Sequence, residues 1–120
     1  MNAADPIETQ TFGPLRGVPL DITNKAINAA VEDALTQTLT DRGKRYGPFT
    51  GHAEITQDLK RLMQGTTKWG GLSYDQKEAL EMIAHKIGRI LNGDPDYADS
   101  WIDIAGYAKL VADRLEGVVR

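Results

Sequence analysis

The sequence predicts an all-α fold, four main helices preceded by an extended N-terminal arm. Three observations carry that prediction. Apolar residues recur at three- and four-residue spacing through long stretches, no strand-like alternation of useful length is present, and glycine or proline falls at each boundary between periodic segments. At 120 residues the chain fits one domain with a small core, the kind that neighbouring subunits often complete. We divide it into an arm, residues 1–21, and one helical domain, residues 22–120.

The arm carries Pro6, Pro14, Pro19, Gly13 and Gly17, which break any helical run, with isolated apolar Phe12, Leu15, Val18 and Leu20. It is either a loose terminus or a strap laid on the body or on a partner subunit. The first helix is predicted from Thr23 to about Arg42, on the recurrence of Ala26, Ile27, Ala30, Val31, Ala34, Leu35 and Leu39, with Gly43 as its stop. A basic, aromatic connector, Lys44-Arg45-Tyr46-Gly47-Pro48-Phe49, follows. Thr50 is placed to cap a second helix from Gly51 to Gln64, ended by Gly65.

Ser73-Tyr-Asp-Gln76 has the spacing of a capping box, so the third helix starts there and runs to Leu91, with Gly93 beyond it. Asp94-Pro95 opens the fourth, which continues to about Glu116 before Gly117, since proline suits a first helical turn.

At about 100° per residue these last two helices each divide into two stripes. On the third, Leu80, Ile83, Ala84, Ile87, Ile90 and Leu91 form the apolar side, while Glu78, Glu81, His85, Arg89 and Asn92 lie opposite. On the fourth, Trp101, Ile104, Ala105, Ala108, Val111, Ala112 and Leu115 oppose Asp99, Asp103, Gly106 and Asp113. Such stripes suit a plain solvated face. They also suit a site in which Glu78, Glu81, Asp99 and Asp103 from two packed helices hold a hard cation such as Mg²⁺. Four acids at one-turn spacing repel unless neutralised, and mid-helix Gly106 costs about 1 kcal/mol relative to alanine unless a neighbour or ligand comes close.

Other chemistries are limited by what the chain lacks. A net charge of −3 argues against binding nucleic acid polymers or an anionic membrane surface, and no apolar run is long enough to span a bilayer. Without cysteine there is no disulfide and no thiolate zinc site, which makes the cytoplasm the expected location. Neither phosphate-loop glycine signature is present. Lys86, at the edge of the acidic stripe, suits a phosphate contact or a salt bridge. Arg45 and Tyr46 suit a phosphate and a base, or an ordinary connector.

Glu78-Ala-Leu-Glu81, followed by Asp99-Ser-Trp-Ile-Asp103-Ile-Ala-Gly-Tyr107, resembles the phage-type MazG-like proteins of the all-α nucleoside triphosphate pyrophosphohydrolases. The likeness reaches back to Arg42-Gly-Lys-Arg-Tyr-Gly-Pro-Phe-Thr-Gly-His52. It implies a MazG-like bundle completed by oligomerisation, as a homodimer or homotetramer. It also implies Mg²⁺ or Mn²⁺ at Glu78, Glu81, Asp99 and Asp103, and hydrolysis of a nucleoside triphosphate, such as dATP or dGTP, to monophosphate and pyrophosphate. Ser100 stands where the family pattern has an acid, and Asp99 is the replacement. On this reading Glu81 and Lys86 are catalytic, and Lys86, Arg89, Tyr107, Arg45, Tyr46 and His52 contact substrate. The rival reading is a non-catalytic helical module that binds nucleotide or protein.

Overall fold

The computed structural model describes residues 20–120, so the predicted arm lies outside the described residues except for Leu20 and Asp21, which begin a helix. Four α-helices and one 3₁₀ turn make up the regular structure, and no strand occurs among the described residues. The fold class is all-α. None of these helices is long and apolar enough to cross a membrane.

The chain divides into two units, residues 1–39 and 40–120. In the first, helix α1 (Leu20–Tyr46) exposes Ile27, Val31, Leu35 and Leu39, four apolar side chains at i,i+4 spacing. The last turns of α1 belong to the second unit. There α1 runs through Gly43, the predicted stop, although glycine in a helix interior costs about 1 kcal/mol relative to alanine. The helix ends instead at Gly47, whose φ of 75° lies in the left-handed region, followed by Pro48, which has no N–H to continue the ladder.

Helix α2 (Phe49–Gln64) therefore starts earlier than predicted, with extended Pro48 as its N-cap and Thr50 inside the first turn. A 3₁₀ turn, Trp69–Gly71, leads to α3 (Tyr74–Asn92). Here the predicted capping box is present: Gln76 Oε1 accepts from the Ser73 N–H at 3.0 Å. Arg114 reaches back from the last helix to clamp this corner, donating to both Asp75 carboxylate oxygens and to Ser73 Oγ. The guanidinium holds the Asp75 carboxyl well below the usual carboxylate range.

Helix α4 (Ala98–Leu115) begins four residues after Asp94, not at it. Asp94 Oδ1 accepts from the Asp96 N–H, and the Asp94 N–H donates to Arg45 O, so this stretch is spent on a turn docked against the end of α1. Beyond α4, the tail folds back: Val118 N–H donates to Asp113 O, and Arg120 and Lys109 both pair with the buried Asp113 carboxylate, lowering its pKa.

Within the second unit α3 is central, packed on α2 along one side and on α4 along the other. Its buried positions are Ala79, Ala84, Gly88 and Ile90. Small residues let α2 come close, so α3 turns much of its polar stripe inward: His85 meets α2, and Asn92 meets the end of α1. Leu80, Leu91 and Leu115, expected in the core, are exposed, as is Trp101 at 55%. Trp101 instead donates its indole N–H to Pro95 O and braces the turn before α4.

Candidate active site

The predicted site residues fall into three neighbourhoods of the second unit. The first lies between α3 and α4. Lys86 Nζ sits 3.0 Å from Asp103 Oδ2, with the lysine side chain 12% exposed and the aspartate half-exposed. A groove of about 510 Å³ beside Asp103 is lined by Ile102, Gly106, Tyr107 and Leu110. An adjoining hollow of about 200 Å³ is lined by Asp75, Glu78, Ala79, Tyr107, Leu110 and Val111. Tyr107 and Leu110 line both, Glu78 on α3 lining the one and Asp103 on α4 the other. Gly106 opens onto the groove with nothing near the position of a Cβ. It therefore clears space there and does not bring a helix close.

The second neighbourhood joins the two turns. Arg89 lies over the Tyr46 ring, its Cζ 4.2 Å from the centroid, and Arg45 lies over Tyr97 at 5.0 Å. The two tyrosines meet edge to face at 6.1 Å. The Tyr97 hydroxyl donates to Asp99 Oδ2 at 2.9 Å, and that carboxylate raises the phenol pKa. Asp99 is thus engaged with the turn.

The third is the seam between α2 and α3. His52 is 5% exposed and Thr56 is 4% exposed, both pressed on Gly88. His52 Nε2 and His85 Nδ1 are 3.2 Å apart, with the rings nearly perpendicular. Burial lowers both imidazole pKa values, that of His85 to about 4; at His85 the neighbouring His52 adds to the effect, and at both so do Arg89, Lys86 and Lys60. The Gly88 backbone opposes the shift at His52 without closing a hydrogen bond on Nδ1, and Thr56 Oγ1 likewise has no partner. His52, expected at the substrate, is thus buried in the α2–α3 seam. One turn before His85, Glu81 accepts from Gln64 Nε2 at 3.4 Å.

Glu78, Glu81, Asp99 and Asp103 suit a hard divalent cation by donor chemistry, and the helices that carry them are packed together. Among the described residues, however, no three His, Asp or Glu side chains are grouped as a ligand set. Lys86 supplies the positive charge beside Asp103 in this arrangement.

Residues 29–115 match a family described as Domain of unknown function (DUF6378). The chain belongs to this family. No curated protein and no solved structure matches it. The DUF6378 match runs from within α1 to the end of α4, so all three neighbourhoods lie inside the family's domain.

Sequence reasoning assigned no role to Asn92, Tyr97, Thr56 or Gly88. Glycines 47, 51, 88 and 93 were the available signal. Asn92 packs on Gly47 and Gly51, Gly93 packs on Arg45 and Tyr46, and Gly88 receives His52 and Thr56.

Proposed function

We propose that this DUF6378 chain is a Mg²⁺-dependent nucleoside triphosphate pyrophosphohydrolase of the phage MazG-like type, acting in the cytoplasm on a purine deoxynucleotide such as dATP or dGTP. The observation that carries the reading is the pairing of α3 with α4, which sets Asp103, Tyr107 and Glu78 around adjoining hollows, with Lys86 paired to Asp103. Glu78, Glu81, Asp99 and Asp103 would hold Mg²⁺ or Mn²⁺ after rotation of exposed carboxylates or closure by a second subunit. A divalent ion there supplies charge neutralisation and lowers the pKa of the attacking water.

The chain's own groups do the rest. Glu81 accepts a proton from water as its oxygen attacks the α-phosphorus in line. The bond to the α–β bridging oxygen breaks, and pyrophosphate leaves with that electron pair. Lys86 neutralises the charge that develops on the departing group. Arg89 and Arg45 take phosphate oxygens, and Tyr107 and Tyr46 flank the base and sugar.

Exposed Ile27, Val31, Leu35 and Leu39 on α1, together with Trp101, Ile102 and Leu110 on α4, support a homodimer or homotetramer, since so much apolar surface is unusual on a stable monomer. The hold of Lys86 on Asp103 favours a second reading, a module that binds nucleotide without cleaving it. Thermal melts with Mn²⁺ and dGTP, followed by product analysis, separate the two. Stabilisation with pyrophosphate release supports the enzyme, stabilisation alone supports the sensor, and no response to either ligand overturns both.

A further inference from the structure

Two turns, 46 residues apart in sequence, are locked together by one side chain. Asn92 Nδ2 donates to Tyr46 O and to Pro48 O, each at 2.8 Å. The Asn92 carbonyl and amide lie so close to Gly47 and Gly51 that a Cβ at either position would collide with them. Gly93 in turn packs on the Arg45 carbonyl and the Tyr46 backbone, and the Asp94 N–H donates to Arg45 O at 2.6 Å. Three glycines and one asparagine thus fix the Arg45–Tyr46 turn on the end of α3.

The lock holds two arginines against aromatic rings. Arg61, Arg114 and Arg120 each hold a carboxylate. Arg45 and Arg89 have no carboxylate partner among the described residues, and each lies over a tyrosine ring. Stacking on an aromatic face leaves the in-plane N–H donors of a guanidinium free, which is the arrangement that receives a phosphate fork to fork. Compensation of the helix dipole explains basic residues at the ends of α1 and α3, but it does not consume these two. The terminal carbonyls are already capped: Tyr46 and Pro48 by Asn92, Arg45 by the Asp94 N–H, and Arg89 by the Gly93 N–H. Of the carboxylates in the neighbouring turn, Asp94 accepts from the Asp96 N–H and Asp99 from the Tyr97 hydroxyl.

We propose that Arg45 and Arg89, stacked on Tyr97 and Tyr46, form a two-arginine clamp for the phosphate groups of a polyphosphate ligand, with Asn92 as the residue that positions it. The identification of that ligand as a nucleoside triphosphate rests on the reading above; the clamp itself rests on the locked turns.

The test is titration of the full chain with sodium tripolyphosphate in EDTA, followed by calorimetry, so that no divalent ion takes part. Arg45→Gln and Arg89→Gln should each weaken binding about tenfold or more, the scale of a lost charge-assisted contact. Lys68→Gln, an exposed charge change on the connector before the 3₁₀ turn, should alter it less than about twofold. Arg89→Lys should fail to restore affinity, because an ammonium lacks the planar fork. Asn92→Leu should weaken tripolyphosphate binding at temperatures where its helical circular dichroism matches the parent. It should also raise KM for nucleotide with kcat nearly unchanged, a split that simple loss of folded protein does not give. If Asn92→Leu does not fold, the arginine variants decide the matter alone. Undetectable binding by the parent chain, affinity unchanged in both glutamine variants, or an equal loss in Lys68→Gln overturns the clamp. Absence of pyrophosphate release from the parent would remove the hydrolase reading and leave the clamp to stand or fall on the EDTA titration.

Discussion

Lys86 Nζ and Asp103 Oδ2 are joined across the α3–α4 contact at 3.0 Å, and the lysine is mostly enclosed. A half-exposed partner keeps the worth of such a pair modest, about 1 kcal/mol. Asp103→Asn should therefore lower the melting temperature by only a few degrees. The same change should abolish pyrophosphate release, because it removes one of the carboxylates proposed to hold the metal. A large fall in melting temperature with activity retained would assign Asp103 to structure alone.

Gly88 and Gly106 are both mid-helix glycines, and they should respond in opposite directions. A Cβ at Gly88 would strike Thr56 Oγ1 and come within 3.0 Å of His52 Nδ1, in a seam with little room to give. Gly88→Ala should cost about 1–3 kcal/mol by overpacking. Nothing lies near the corresponding position at Gly106, so Gly106→Ala should be neutral or stabilise by up to about 1 kcal/mol. Urea denaturation of the two variants checks the pair. Equal effects would contradict the packing described for α2 and α3.

The sequence made the helices and their order legible, since apolar periodicity and the Ser73–Gln76 capping box are local signals. It misplaced ends set by long-range contacts. Helix α1 runs past Gly43 and ends at Gly47, and α4 starts late because Asp94 is committed to Arg45 O. Of the predicted apolar stripe of α3, Ala84 and Ile90 are buried while Leu80 and Leu91 are exposed. A helical wheel weighs polarity, whereas close packing rewards small side chains, and Ala84 and Gly88 turned His85 and Asn92 inward. Of the candidate site, spacing placed Glu78 on α3 and Asp103 and Tyr107 on α4, whereas the meeting of Arg45 and Tyr46 with Arg89 depends on the docking of two turns distant in sequence. The burial of His52 and the role of Asn92 depend on partners 33 and 46 residues away, beyond the reach of periodicity.

Acid should loosen the α2–α3 seam. In the folded chain the His52 and His85 pKa values lie below the ordinary 6.5, that of His85 at about 4. Between those values the unfolded chain binds more protons than the folded one, so stability rises with pH. The histidine contribution is complete above about pH 6.5 and is lost as pH falls toward 4. The groups facing the pair are Lys60 from α2 and Lys86 and Arg89 from α3, all cations that oppose protonation. Thermal melts from pH 7.5 to 4.5 should show a downward slope that flattens in His52→Gln/His85→Gln. An identical slope in the double variant would place the acid sensitivity elsewhere.

The exposed stripe on α1 gives a prediction about assembly. Light scattering should show a dimer or tetramer, and Val31→Glu with Leu35→Glu should shift it toward monomer, since each side chain is more than half exposed in the single chain. A parent chain that is monomeric at high concentration would contradict the assembly expected here.

The most direct measurement is ³¹P NMR of the products formed from dGTP and dATP with Mg²⁺, using the parent chain, Glu81→Gln and Asp103→Asn. We expect monophosphate and pyrophosphate from the parent and intact triphosphate from both variants, with circular dichroism unchanged. Pyrophosphate formation that persists in both variants, or none from the parent across a panel of nucleotides, would contradict the assignment of the α3 and α4 carboxylates as a hydrolytic centre.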